Sequence, residues 1–197
     1  MRTNIKRISI TALFSALILV TTAYVKIPLV LGYIHIGDIF IMLGCYFLPM
    51  PFCLISAALG ASLADLVAGY VPYMPITAFA KILLAVFCRI ALRREKVKIW
   101  EMIIYPLIGS LLMVVSYFIF EGFYYGWAAS IANLPMQFIQ PAISIPVYII
   151  GVYSFTKIPY LVSSRRELAV SLTKKKRKKD KIETSVDTGS EDKDKNV

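Results

Sequence analysis

The chain has 197 residues and a formal net charge of +10, yet 58% of it is hydrophobic and only 17% is charged. A soluble domain carries nearer a quarter charged residues, and the stretch from Ser163 onward already holds 11 of the 22 Lys/Arg and 7 of the 12 Asp/Glu. The remaining body has too few charges to solvate a surface, which excludes a soluble globular domain, and the basic residues sit where they orient membrane helices rather than in a nucleic-acid footprint.

Arg2, Lys6 and Arg7 precede the first apolar segment, Ile8–Val25. A secretory leader begins in the same way, but here the apolar run is long and no small-x-small cleavage site follows, so a retained helix is expected. Within it, Ala12-x-x-x-Ala16, with Thr11 and Ser15 alongside, forms a small-residue stripe that permits close approach of a partner helix. A loop, Lys26–His35, leads to a short second segment, Ile36–Leu48, with His35 and Asp38 three residues apart at its start. Pro49, Met50 and Pro51 make a tight link to the third segment, Phe52–Ala68, which carries Asp65. The loop Tyr70–Pro75 introduces the fourth, Ile76–Leu92, with Thr77 and Lys81 near its beginning. Arg93, Arg94, Lys96 and Lys98 link it to the fifth, Met102–Phe120, which runs into Glu121. A loop over Glu121–Asn133, bearing Tyr124, Tyr125 and Trp127, precedes the sixth segment, Leu134–Tyr153.

Spans of roughly 20 apolar residues read as membrane helices. Helices are expected throughout, because a backbone in hydrocarbon must satisfy its own polar groups, and the segments lack the alternation of a barrel strand. The predicted fold is therefore an all-α integral membrane protein of six transmembrane helices in one domain, residues 1–162. The basic sites before the first, between the fourth and fifth and after the sixth segment then share one side, the cytoplasm, with both termini. The tail, residues 163–197, is lysine-rich and then acidic, and is expected to be a disordered cytoplasmic extension. Its run Lys174–Lys179 suits contact with anionic lipid headgroups.

Polar groups inside such spans are costly unless paired or hydrated, so they mark function. His35, Asp38, Asp65, Lys81 and Glu121 all fall in the outer half by this topology. So do Tyr70, Tyr73, Thr77, Tyr124, Tyr125, Trp127, Asn133, Gln137 and Gln140. A water-filled cavity open to the outside accounts for them. Asn133 and Gln137 share a helix face, and their amides both donate and accept, which suits the edge of a heteroaromatic ring. Tyr125 and Trp127 suit stacking on its faces. Two alternatives stand beside this: aromatic residues also form interfacial belts, and amides also join helices. Asp65 and Lys81 read first as a structural ion pair between the third and fourth segments, with substrate contact as the other reading. His35 and Asp38 fit a helix cap equally well.

Cys45, Cys53 and Cys88 lie in apolar segments without metal-ligand spacing, as small core residues do. No G-x-x-x-x-G-K-[ST], H-E-x-x-H or G-x-S-x-G is present, so no nucleotide engine, metalloprotease or serine hydrolase is encoded, and no cofactor is implied.

Several blocks resemble the substrate-capture (S) component of energy-coupling factor vitamin transporters. They are Tyr33-Ile-His-Ile-Gly-Asp38, Leu59-Gly-Ala-Ser-Leu-Ala-Asp65-Leu-Val-Ala-Gly-Tyr70, Tyr73-Met-Pro-Ile-Thr-Ala-Phe-Ala-Lys81, Asn133-Leu-Pro-Met-Gln137 and Ala12-Leu-Phe-Ser-Ala16. The likeness covers about residues 8–155 and is most specific around Ala64–Lys81. It implies a bacterial plasma-membrane protein, not an enzyme, that binds a B-type vitamin or its precursor at the outer face under two closing loops. Riboflavin, pyridoxine and hydroxymethylpyrimidine are the ligands of the most similar subgroup. It further implies docking through Ala12 and Ala16 onto a transmembrane T-component driven by two ATPases. By position, Tyr73, Thr77, Glu121, Tyr125, Trp127, Asn133, Gln137 and His35 become the substrate contacts. A stand-alone proton-coupled carrier using Asp65, Lys81 or Glu121 is the alternative.

Overall fold

The computed structural model describes residues 2–28, 33–93, 98–165 and 167–168. Six helices follow one another: α1 (Arg2–Tyr24), α2 (Gly37–Phe47), α3 (Met50–Ala68), α4 (Met74–Ala91), α5 (Ile99–Tyr125) and α6 (Trp127–Thr156). A single 3-10 turn, Val71–Tyr73, leads into α4. Among the described residues, five helices are long and apolar enough to cross a bilayer. The exception is α2, whose 11 residues extend only about 16 Å against a hydrocarbon core of about 30 Å.

The position of α2 explains how so short a helix is tolerated. It touches α1, α3, α4 and α6 at once, and Ile41, Met42, Cys45 and Tyr46 along it are buried. Neighbouring helices, not lipid, surround its ends. The outer helices pack in the order α1–α3–α4–α5–α6. Glycine sets the closest approaches: a Cβ on Gly60 would lie 2.7 Å from the Ser15 carbonyl of α1, and one on Gly109 would lie 3.2 Å from the Leu84 backbone of α4. Close backbone approach through small residues is how membrane helices gain packing where lipid offers no hydrophobic drive.

Turn chemistry agrees with the boundaries. Pro49 stands in extended conformation ahead of α3, with Pro51 in its first turn, where a missing N–H costs nothing. Gly69 ends α3 at φ +83°, the left-handed position glycine favours.

Two expectations are corrected here. The first loop is not plain: Lys26–Pro28 (β1) and Tyr33–His35 (β2) pair antiparallel, Lys26 opposite His35, as a small ribbon in an otherwise helical chain. The expected loop Glu121–Asn133 is helix on both sides of one residue, Gly126, at φ +95°. The Ala-rich run after Trp127 favours helix, so α6 starts well before Leu134.

At the bundle end opposite the ribbon, the first turns of α1 meet residues 167–168. Lys6 Nζ lies 3.0 Å from Glu167 Oε1, and the buried Arg7 guanidinium donates to the Leu168 carbonyl. Residues 159–165 are helical and Leu168 is buried. Arg94, Lys96, Arg166, the run Lys174–Lys179 and the tail from residue 169 lie outside the described residues. Cys45, Cys53 and Cys88 are free and buried, as core residues.

Candidate binding site

The ribbon end of the bundle encloses a cavity of about 70 Å³, room for a few waters. Its wall comes from β2, the end of α3 and the turn after it, α4, α5 and α6. Tyr33 and His35 arrive from β2, Asp65 and Tyr70 from the end of α3, and Tyr73, Thr77 and Lys81 from the start of α4. Met113, Val114, Tyr117 and Glu121 come from α5, and Gln137 and Gln140 from α6. Helices that alternate in direction bring residues far apart in sequence to one depth.

Three polar networks hold the wall. In the first, Lys81 Nζ lies 2.7 Å from Asp38 Oδ1, both side chains 1% exposed, and the Gln140 amide donates to the other Asp38 oxygen. Lys81 also contacts Met113 Sδ at 3.2 Å and the Tyr117 ring, 5.7 Å to its centroid. An ion pair so deeply buried survives only with such extra partners. The predicted Asp65–Lys81 pair is therefore corrected: Lys81 is committed to Asp38, which α2, packed against both α3 and α4, brings to it.

In the second, Asp65 Oδ1 accepts the Tyr33 hydroxyl proton at 2.7 Å. This ties the ribbon to α3. Burial, reinforced by the Asp65 carboxylate, pushes the Tyr33 phenol well above its ordinary range, so it stays a donor.

The third centres on Glu121, itself 2% exposed. Its carboxylate accepts from Tyr73 Oη at 3.3 Å, Asn133 Nδ2 at 3.1 and 3.2 Å and Gln137 Nε2 at 2.8 Å. Three donors offset much of the cost of burying it. Asn133 and Gln137 do share a face, and that face is turned to Glu121.

His35 sits in β2, not on the helix, and its Nδ1 accepts the Gly37 N–H at 3.0 Å, satisfying an orphan amide at the start of α2. Burial, with Lys81 nearby, lowers its pKa to about 3. The ring is neutral at physiological pH, with its proton on Nε2.

Aromatic rings complete the wall. Tyr33 lies 5.1 Å from Tyr70, Tyr70 lies 6.0 Å from Tyr73, and Tyr73 lies 6.4 Å from Tyr117, centroid to centroid. Tyr117 also donates to Thr77 Oγ1 at 3.1 Å.

Of the residues singled out from sequence, His35, Tyr73, Thr77, Glu121 and Gln137 meet at the cavity. Asn133 stands behind it, joined through Glu121. Tyr125 packs on the Tyr73 ring at 6.2 Å, outside the lining. Trp127 turns away: it is half-exposed, presses on Gly122 and packs on Phe118 and Phe123. Sequence reading missed Tyr33, Met113, Val114 and Tyr117 as lining residues.

A second hollow, about 540 Å³, lies along α1 and α3. Ala12 and Ala16 line it with Ile8, Leu19, Phe52, Ile55 and Leu59, and no charged side chain faces it.

A predominantly helical, lipid-compatible body with a polar, ring-lined cavity fits a membrane-embedded solute-binding protein. Residues 2–157 match the family described as ECF-type riboflavin transporter, S component, and the chain belongs to that family. It is a transporter family, not an enzyme family, so the chain is a vitamin-type substrate-binding subunit of the membrane. Comparisons with curated proteins and with solved structures found no match.

Proposed function

We propose that this chain captures a B-type vitamin or its precursor at the cavity beneath the β1–β2 ribbon, which widens beyond its present few-water volume to admit it, from the outer face of a bacterial plasma membrane. A transmembrane T-component, driven by two ATPases, then completes uptake. In this reading α2 counts as the sixth span, shortened because the ribbon caps it, and both termini are cytoplasmic. Tyr73, Thr77, Glu121, Gln137 and His35 contact the ligand. Asn133 holds Glu121, while Tyr125 and Trp127 support the rim.

The observation that carries the reading is the wall itself: two carboxylates, two amides and four tyrosine rings enclosed in a lipid-soluble body. Such a set recognises a small polar ring. The charge-free groove around Ala12 and Ala16 suits a helical partner in lipid, since small residues admit a second helix.

Vesicles carrying the chain alone, or the chain with T-component and ATPases, test the proposal with radiolabelled vitamin. Uptake that needs the partners and ATP supports it. Uptake by the chain alone that collapses with the proton gradient favours a self-sufficient carrier, the reading that the buried Asp65, Lys81 and Glu121 would serve.

A further inference from the structure

The end of the bundle opposite the ribbon buries a cation that the binding cavity does not use. Arg7 of α1 is 2% exposed. Its guanidinium donates to the Leu168 carbonyl and lies over the Phe52 ring, 5.8 Å from the centroid. Among the described residues its Nε has no hydrogen-bond partner and no carboxylate pairs with it. Glu167, the carboxylate beside Leu168, is committed to Lys6 at 3.0 Å. A charge taken out of water is stable only when paired and hydrogen-bonded. A guanidinium is shaped to meet a carboxylate through two parallel bonds. Arg7 has a cover but not that counter-ion.

The cover is the segment that follows α6. Arg165 fastens it to the bundle, donating to the Leu92 carbonyl at the end of α4 and lying 4.6 Å from the centroid of the Tyr46 ring. Glu167 and Leu168 then reach the first turns of α1. Their hold there is slight. Both side chains of the Lys6–Glu167 pair are more than half exposed, and such pairs contribute little in water. The other tie is one backbone carbonyl. A strap fastened so lightly over an unpaired cation is poised to open.

The place of Arg7 gives the uncovered cation a use. It precedes Ile8 and lies on Phe52, and both line the groove that carries Ala12 and Ala16. That groove offers close apolar packing but no charge to fix a partner's register. Arg7 supplies one at its strap end.

We propose that residues 158–165, with Glu167 and Leu168, form a strap over Arg7, and that once it lifts Arg7 receives a carboxylate of the partner that docks in the α1–α3 groove. The inference rests on the partner docking proposed above. It adds the partner's chemistry, an acidic side chain, and a step that precedes docking.

The test places the full-length chain in vesicles with T-component and ATPases. Uptake of radiolabelled riboflavin, pyridoxine and hydroxymethylpyrimidine is scored in turn, beside calorimetric affinity for whichever the wild type takes up. Arg7→Met keeps the side chain's bulk and removes its charge. It should preserve affinity and melting and cut partner-dependent uptake about tenfold or more. Arg7→Lys, a point charge without the fork, should recover part of the loss. Bridging Lys6→Cys and Glu167→Cys with a short bismaleimide should block uptake at unchanged affinity; the wild type, whose three thiols are buried, is treated alike. Full uptake by Arg7→Met or by the bridged chain overturns the inference. So does a loss confined to phosphatidylglycerol vesicles and absent from phosphatidylcholine ones, which assigns Arg7 to lipid headgroups. Should Arg7→Met fail to fold, the bridged chain decides alone. Wild-type uptake that needs no partners, or uptake of none of the three compounds, sinks the underlying reading and this inference with it.

Discussion

At the ribbon end of the bundle the buried positions are Asp38, Asp65, Thr77, Lys81, Glu121, Asn133 and Gln140; at the opposite end they are Cys45, Tyr46, Leu48, Cys53, Cys88, Leu92 and Val152. Helices α2, α3, α4 and α6 contribute to both sets. Where the opposite end does bury a cation, Arg7, a backbone carbonyl and the Phe52 ring receive it. Arg7 Nε and the Tyr148 hydroxyl remain there without a hydrogen-bond partner among the described residues. The difference shows that one end holds the bundle together by close packing, while the other is held by polar pairs around a cavity. Stability and binding are thus partly separated along the helix axis.

The sharpest way to break this comparison is Lys81→Met, which strips Asp38 of its ion pair. A loss of about 3–5 kcal/mol is expected, read as earlier reaction of a maleimide dye with the three buried thiols during a melt. Adding Asp38→Asn should restore much of it; a melt unmoved by the single change would mean the pair holds nothing. At the packed end, Leu48→Ala should cost about 2–5 kcal/mol through the cavity it leaves, with ligand affinity of the folded fraction preserved. Reduced affinity there would couple the two ends. Asn133→Ala removes a donor from Glu121 and should weaken binding by about 1–3 kcal/mol, measured by calorimetry; an unchanged dissociation constant removes Asn133 from the site.

A gentler probe is pH. His35 titrates near 3 in the folded chain but near 6.5 once unfolded, so below 6.5 the unfolded state binds the extra proton. Stability is then full above pH 6.5 and falls on acidification by up to about 1.4 kcal/mol per pH unit. His35→Gln should flatten that part of the melting profile. Smallest in its effect on the fold is Ala16→Trp, on the open α1–α3 groove, where stability should shift by no more than about 0.5 kcal/mol. Ligand affinity should hold while uptake with the partner subunits disappears; retained uptake would free the groove of any docking role.

Much of this was legible in the chain. Charge scarcity gave a lipid-soluble body, and the prolines at 49 and 51 placed the tight α2–α3 link. Polar residues counted along alternating helices gathered His35, Tyr73, Thr77, Glu121 and Gln137 at one end. What escaped depended on lateral packing, which periodicity does not encode. Lys81 was matched with Asp65 because their helices are neighbours in sequence, whereas α2 slips inward and offers Asp38. Tyr33 and Tyr117 look like interface aromatics until their hydroxyls are seen to reach Asp65 and Thr77. Trp127, expected to stack on the face of a bound ring or to join the interfacial belt, packs on Phe118 and Phe123. The extra turns of α5 and α6 were hidden by aromatic side chains that suggested a loop, although the lone Gly126 marks the break.

That break has a mechanical consequence. Helices of 27 and 30 residues are joined by one residue at φ +95°, so there is no slack between them. Glu121 and Gln137 flank that joint, and their side chains meet at 2.8 Å across it. The ribbon on the facing wall is tied down separately, by the Tyr33 phenol to Asp65, by His35 Nδ1 to the Gly37 N–H and by the Tyr33–Tyr70 ring contact.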